Sequence, residues 1–211
     1  MLARFLAGIA AMVAVVAASN VLVQYPFAVQ LGPVNLGDIL TWGAWSYPVA
    51  FLVTDLTNRT FGPAKARLAV LAGFVVAVIL SVYLATPRIA IASGSAFLVA
   101  QLLDIAIFHR LRDGAWWRAP MFSSLVSSAL DTAIFFSLAM APAFAGIDAM
   151  FGMEDSSLPF PAPFLALGPE VPLWVSLAAG DFLVKLLLTV LMLAPYKTLR
   201  GWLAGRGAVA V

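Results

Sequence analysis

Apolar residues run along this chain in six long stretches, separated by shorter segments rich in glycine, proline and charge. The stretches cover about residues 5–24, 41–60, 67–86, 90–110, 120–142 and 172–196. Each is long enough to cross about 30 Å of hydrocarbon at about 1.5 Å rise per residue. The second is the most polar. The breaks fall at Gly32-Pro33, Gly62-Pro63 and Thr86-Pro87, and across a long segment from about 143 to 171. Pro159, Pro161, Pro163 and Pro169 in that last segment remove backbone donors and oppose a continuous helix. The pattern predicts an all-α polytopic membrane protein, a single domain over 1–211 with six transmembrane helices.

Composition strengthens this reading. Of 211 residues, 63% are hydrophobic and only 10% charged, against about 45–50% and about 25% in soluble domains; the mean hydropathy is +1.01. So few charges cannot cover a water-exposed surface, and six spans leave no room for a soluble domain of normal size. With no cysteine and one histidine, disulfides, thiolate nucleophiles and Cys- or His-rich metal sites are set aside, and no cofactor is expected.

The formal net charge of +2 reflects loops rather than a nucleic-acid surface. Arg4, then Arg59, Lys65 and Arg67, then Arg110, Arg112 and Arg118, then Lys197, Arg200 and Arg206 fall on one side of the alternating spans. The other side holds Arg88 alone, with Asp38, Asp148, Glu154, Asp155 and Glu170. Basic loops stay in the cytoplasm, which predicts a multi-pass inner-membrane protein with both termini cytoplasmic. Arg4, the first apolar run and Ala17-Ala18-Ser19 also resemble a cleavable signal peptide. Asn20 and Gln24, which continue from the run, and the six-span charge alternation favour an uncleaved first helix. Trp42, Trp45 and Tyr47 near one interface, and Trp116, Trp117 and Trp202 near the other, read as aromatic belts. Trp45 and Tyr47 are also suited to stacking on a substrate.

Four carboxylates interrupt the apolar runs: Asp55, Asp104, Asp131 and Asp181. Each mid-helix charge costs about 2.5–3.5 kcal/mol on insertion scales, or on the order of 10–14 kcal/mol for four facing lipid. They are expected to face the bundle interior, and each has polar neighbours at helical spacing. Thr54, Asp55, Asn58 and Arg59 include a possible Asp55–Arg59 i,i+4 pair. Gln101 precedes Asp104 by one turn, and Ser124, Ser127, Ser128 and Asp131 form a hydroxyl stripe ending in a carboxylate. Asp181 and Lys185 are a second i,i+4 pair, following Ala178, Ala179 and Gly180. That pair reads equally as an internal salt bridge or as a ligand site, and the serines as helix-packing residues or cavity lining. The candidate substrate-binding set is Asp55, Asn58, Gln101, Asp104, Ser127, Asp131, Asp181 and Lys185. Such groups suit a small polar or cationic solute, with planar heterocycles able to use the aromatics as well.

Four segments carry a family resemblance. Tyr47-Pro48-Val49-Ala50-Phe51-Leu52-Val53-Thr54-Asp55-Leu56 and Ser95-Ala96-Phe97-Leu98-Val99-Ala100-Gln101-Leu102-Leu103-Asp104 are two. Trp116-Trp117-Arg118-Ala119-Pro120 with Ser123-Ser124, Ser127-Ser128 and Asp131-Thr132 is a third; Gly180-Asp181 with Lys185 and Pro195-Tyr196 is the fourth. In this order, from about Asn20 to Tyr196, the chain resembles the queuosine precursor transporters, six-helix inner-membrane proteins akin to vitamin uptake transporters. The long Pro-rich segment before the sixth span is extended relative to that pattern. The resemblance implies uptake of a 7-deazaguanine, such as 7-cyano-7-deazaguanine or its aminomethyl analogue, for salvage into tRNA queuosine. The ring N–H and exocyclic amine of such a base are adjacent donors that one carboxylate accepts bidentately.

No Walker loop is present, so the chain does not bind ATP by that route. A facilitator, an ion-coupled carrier (Asp131 and Asp181 would suit a proton) and a subunit with an energising partner all remain compatible, as does a homo-oligomer. Two other classes compete. An intramembrane aspartyl protease would use paired carboxylates, but Ala178-Ala179-Gly180-Asp181 lacks the first glycine of the Gly-x-Gly-Asp pattern. A membrane assembly factor would explain neither the buried acids nor the motifs. No enzymatic activity is expected.

Overall fold

A computed structural model describes residues 1–205; Arg206, counted above with the basic termini, lies outside the described residues. The chain forms α1 (Leu2–Leu22), α2 (Trp42–Ser46), α3 (Val49–Phe61), α4 (Pro63–Leu84), α5 (Pro87–Leu111), α6 (Arg118–Met140), α7 (Gly146–Met150), α8 (Leu173–Leu191) and α9 (Leu193–Gly205). Two small antiparallel hairpins, β1 (Gln30–Leu31) with β2 (Val34–Asn35) and β3 (Pro161–Pro163) with β4 (Glu170–Pro172), decorate the loops.

Among the described residues, five helices are long and apolar enough to cross a membrane: α1, α4, α5, α6 and the α8–α9 run. The second predicted stretch, 41–60, is instead divided. Pro48 has no amide hydrogen, so the helix breaks after Ser46 and restarts at Val49. Short bonds from Ala50 N to the Tyr47 carbonyl and from Phe51 N to the Pro48 carbonyl carry the chain across the break. The resulting α3 is polar, burying Thr54, Asp55, Thr57, Asn58 and Thr60. Broken, polar helices persist at membrane depth only inside protein or beside a cavity, and α3 sits against α1, α4 and α5.

Capping chemistry marks the helix starts. Gly62 turns the chain at φ +84°, a conformation open to glycine, and Pro63 opens α4 at a position where no N–H is required. Thr86 caps α5 by accepting from Ile89 N, with Pro87 in the first turn. The predicted breaks at 32–33, 62–63 and 86–87 therefore coincide with turns, and the segment 143–171 holds only short elements.

Side-chain bonds fix the helix directions. Thr54–Gln101 and Asn58–Ile105 both link residues 47 apart, so α3 and α5 run parallel. Asn20–Ser81 links residues 61 apart, and Met12 faces Gly73 at the same offset, so α1 and α4 are parallel too. Thr132–Asp181 and Asp131–Lys185 join α6 to an oppositely directed α8. The ends of α1, α4 and α6 and the starts of α5 and α8 thus share one face, here called the acidic face; the basic clusters share the other.

Apolar side chains point outward, as at Val75, Ile79 and Val82 on α4 and Leu183, Leu187 and Val190 on α8, with Val82 70% exposed. The interior carries the polar residues, the arrangement a lipid solvent requires. Trp42, Trp117 and Trp202 are exposed near the helix ends, as belt residues would be, whereas Trp45 packs against Phe27 at 5.0 Å.

Candidate functional site

A cavity of about 520 Å³ opens on the acidic face, within the range of small-molecule sites. Its walls come from α1, α4, α5, α6, α8 and the segment 37–41, and include Asn20, Ser81, Ser93 and Phe135. Its deep end is Tyr47, Asp131, Asp181 and Lys185. Tyr47 reaches this place because it stands at the α2–α3 break, where a regular helix would present a different face.

The floor is a bonded network around one ammonium. Lys185 Nζ donates to Asp131 Oδ2 at 2.7 Å and to Asp181 Oδ2 at 2.5 Å. Thr132 Oγ1 accepts from Lys185 at 3.1 Å and donates to Asp181 Oδ2 at 2.8 Å. Tyr47 donates its hydroxyl to Asp131 Oδ1 at 3.5 Å, and its ring lies 5.8 Å from Lys185 Nζ. Asp131 thus has a partner on each oxygen, whereas Asp181, the most exposed member of the trio, has none on Oδ1 among the described residues. Thr189 Oγ1 bonds back to the Lys185 carbonyl and steadies the helix there.

Of the eight candidate residues, the structure brings Asp131, Asp181 and Lys185 together at the cavity. Asp55, Asn58, Gln101 and Asp104 lie outside its lining, in the seam between α3 and α5, and all four are buried. Ser127 is also buried outside the lining, its hydroxyl without a partner among the described residues. The Asp55–Arg59 pair does not form: Arg59 donates through Nη1 to the Arg112 carbonyl. Its long side chain extends toward the helix end, where free carbonyls gather the negative end of the α5 dipole. Asp55 instead receives the Ser123 hydroxyl at 3.5 Å. Between cavity and basic face the bundle is closed by Phe108, Ala119 and Tyr196 with their neighbours.

Two contributors escaped the sequence reading. Thr132 and Ser123 are tertiary partners of carboxylates, visible beforehand only as members of the family segments. Arg88 was the lone exception to the charge alternation, and the structure accounts for it. It is fully buried, bonds Asp148 Oδ2 at 2.7 Å, reaches Ser157 at 3.0 Å and Asp155 at 3.4 Å, and also donates to the Leu138 and Ala141 carbonyls. Neutralised this way, it ties the segment after α6 to the start of α5. The backbone N–H of Ser156, aided by Arg88 and the Ser156 hydroxyl, holds the Asp148 carboxyl below the usual carboxylate range.

Comparison with known proteins agrees with this architecture. The Putative vitamin uptake transporter family matches over residues 41–86 and 80–199. A Haemophilus influenzae protein named "Probable queuosine precursor transporter" is 34% identical, over 86% of this chain and 79% of its own length. The Escherichia coli "Queuosine precursor transporter" is 31% identical over the same shares. A Bacillus subtilis "Probable queuosine precursor transporter" is 29% identical, over 49% of this chain and 57% of its own. No solved structure matches. These relatives are named as transporters, which sets aside the protease reading of Gly180-Asp181. The chain belongs to the Putative vitamin uptake transporter family, with queuosine precursor transporters among its relatives.

Proposed function

We propose that this chain imports queuosine precursors, 7-deazaguanines such as the 7-cyano and 7-aminomethyl forms, across the inner membrane. In this reading it crosses six times, counting α2–α3, with both termini cytoplasmic and the acidic face outside. The basic clusters on one face support the orientation. The names of the relatives support the substrate.

The observation that carries the reading is the cavity floor, where two carboxylates surround one ammonium and leave one formal negative charge. Asp181, whose Oδ1 has no partner among the described residues, is the group placed to accept the adjacent ring N–H and amine of a guanine-like edge. Asp131, Lys185 and Thr132 hold it in position, and Tyr47 and Phe135 offer ring faces for the heterocycle. The residual charge favours neutral or cationic ligands over anions. A discontinuous helix beside a midplane site is how many secondary transporters build their substrate pocket. Expression in cells unable to make the precursor, fed with it at low concentration, tests the reading through queuosine in tRNA. Restored queuosine is expected; none, with the protein present in the membrane, sinks it.

A further inference from the structure

Beneath the cavity floor lies a second polar centre that the proposed substrate contacts do not use. Two bonds bracket it along the α3–α5 seam. Thr54 donates to Gln101 Oε1 at 2.5 Å on one side, and Asn58 Nδ2 donates to the Ile105 carbonyl at 3.0 Å on the other. Between these rungs Asp55 and Asp104 meet as immediate electrostatic neighbours, 2% and 0% exposed. Ser123, from α6, lies against both.

No cation reaches this pair among the described residues. Arg59 is turned to the Arg112 carbonyl, Lys185 is held by Asp131 and Asp181, and α9 brings the Tyr196 phenol near Asp55 with Arg200 beside Tyr196 and Arg59. Among the described residues both oxygens of Asp104 lack a hydrogen-bond partner, as do Asn58 Oδ1 and Gln101 Nε2 in the same seam and Ser127 Oγ and Ser128 Oγ on α6. Asn58 is fully buried, and its orphaned oxygen sits in the same seam because its amide nitrogen is pinned beside Asp104. Two adjacent buried carboxylates repel each other, and a buried charge is tolerated only with a counter-charge or a proton. The unsatisfied oxygens here outnumber the one unpaired side-chain amide donor among the described residues, Gln101 Nε2, an excess of acceptors that suits a small positive species.

A void of about 10 Å³ touches Asp55 and is lined also by Ser124, Thr189 and Tyr196, room for about one water. Thr189 bonds the Lys185 carbonyl, so the void lies directly behind the cavity floor.

We propose that Asp55 and Asp104 bind the small monovalent cation, a proton or a sodium ion, whose gradient drives uptake, at a site separate from the substrate cavity. The inference rests on the transport reading and extends it. The two sites share one mechanical element. Helix α3 carries Asp55, and Tyr47, just before its start, bonds Asp131 in the cavity floor. A cation closing the carboxylate pair draws α3 toward α5 and shifts Tyr47 with it, so occupancy below is felt above.

Purified full-length protein in liposomes, with labelled 7-cyano-7-deazaguanine as a neutral probe, tests this. Counterflow without an ion gradient reports substrate binding and translocation; accumulation above equilibrium reports coupling. An inward proton gradient at constant sodium and an inward sodium gradient at constant pH distinguish the two cations. One of the two is expected to drive accumulation by the parent. Asp55→Asn and Asp104→Asn are expected to retain counterflow and lose accumulation. Counterflow by the parent with no accumulation under either gradient overturns the inference and leaves the transport reading standing; absent counterflow overturns both. Variants that accumulate as the parent does overturn the inference. If the asparagine variants lose counterflow, Asp104→Glu decides: a shifted half-maximal ion concentration supports the site and an unchanged one overturns it.

Discussion

Lys185 Nζ lies 2.7 Å from Asp131 Oδ2, joining two helices across 54 residues of sequence at the bottom of the cavity. The same ammonium holds Asp181, so a single cation neutralises one carboxylate's worth of charge on two. Removing it leaves two buried carboxylates with no counter-ion.

Lys185→Met should therefore destabilise the protein more than any single floor carboxylate variant. Breaking a buried ion pair by deleting one partner costs about 3–5 kcal/mol. Thermal unfolding of the purified variant in detergent checks it; a transition as high as that of Asp131→Asn would contradict the finding that Lys185 serves both acids.

Asp181→Asn should weaken precursor binding while leaving the fold intact, because Asp181 is the least enclosed member of the network. A hydrogen bond to a charged group contributes about 1.5–3 kcal/mol, which corresponds to a loss of about tenfold or more in affinity. Equilibrium binding of labelled precursor to the purified protein reads this directly. Ser127→Ala, outside the cavity lining, should bind like the parent, and a comparable loss there would move the site.

Gly43→Ala should disturb the mouth of the cavity. A Cβ at this position would lie 2.8 Å from Val23 Cα, and backbone cannot step aside as a flexible side chain can. Overpacking of this kind costs about 1–3 kcal/mol. Lower thermal stability together with reduced uptake is expected; wild-type values of both would show that α2 and the end of α1 separate without strain.

The Arg88–Asp148 tie should make the loop after α6 sensitive to acid. Asp148 is held below its ordinary value of 3.8. A depressed carboxyl stabilises the folded state above the unfolded value, and that contribution is lost as pH falls through the folded value. Protection of residues 141–158 from a protease active in acid should hold at neutral pH and decline below about pH 3.8. Asp148→Asn should lose protection at neutral pH as well, and pH-independent protection in the parent would refute the linkage.

Much of this molecule follows from order along the chain. The apolar lengths and the Gly-Pro and Thr-Pro breaks foretell five long apolar helices and where they turn, since these depend on local sequence and the thickness of the bilayer, whereas the stretch 41–60, expected as one span, is divided in the structure. The Asp181–Lys185 contact was legible for the same reason: residues four apart on a helix face each other wherever the helix is placed. That same rule failed for Asp55 and Arg59, because the longer side chain found carbonyls on a neighbouring helix end.

Tertiary structure decided the rest. Rotation of each helix about its axis, set by packing, turned Asp131 toward Lys185 and Asp55 toward Asp104, dividing one presumed cavity into two separate centres. The apolar pattern ran through 41–60 as one span; the structure breaks it at Pro48, and the effect of carrying Tyr47 to the cavity floor depended on what α6 and α8 place opposite it. Arg88 shows the same limit: its charge is plain from the sequence, and only the fold of the loop after α6 brings Asp148 to cancel it. Contacts between residues dozens of positions apart leave no periodic trace in the chain, so these pairings had to be seen in three dimensions.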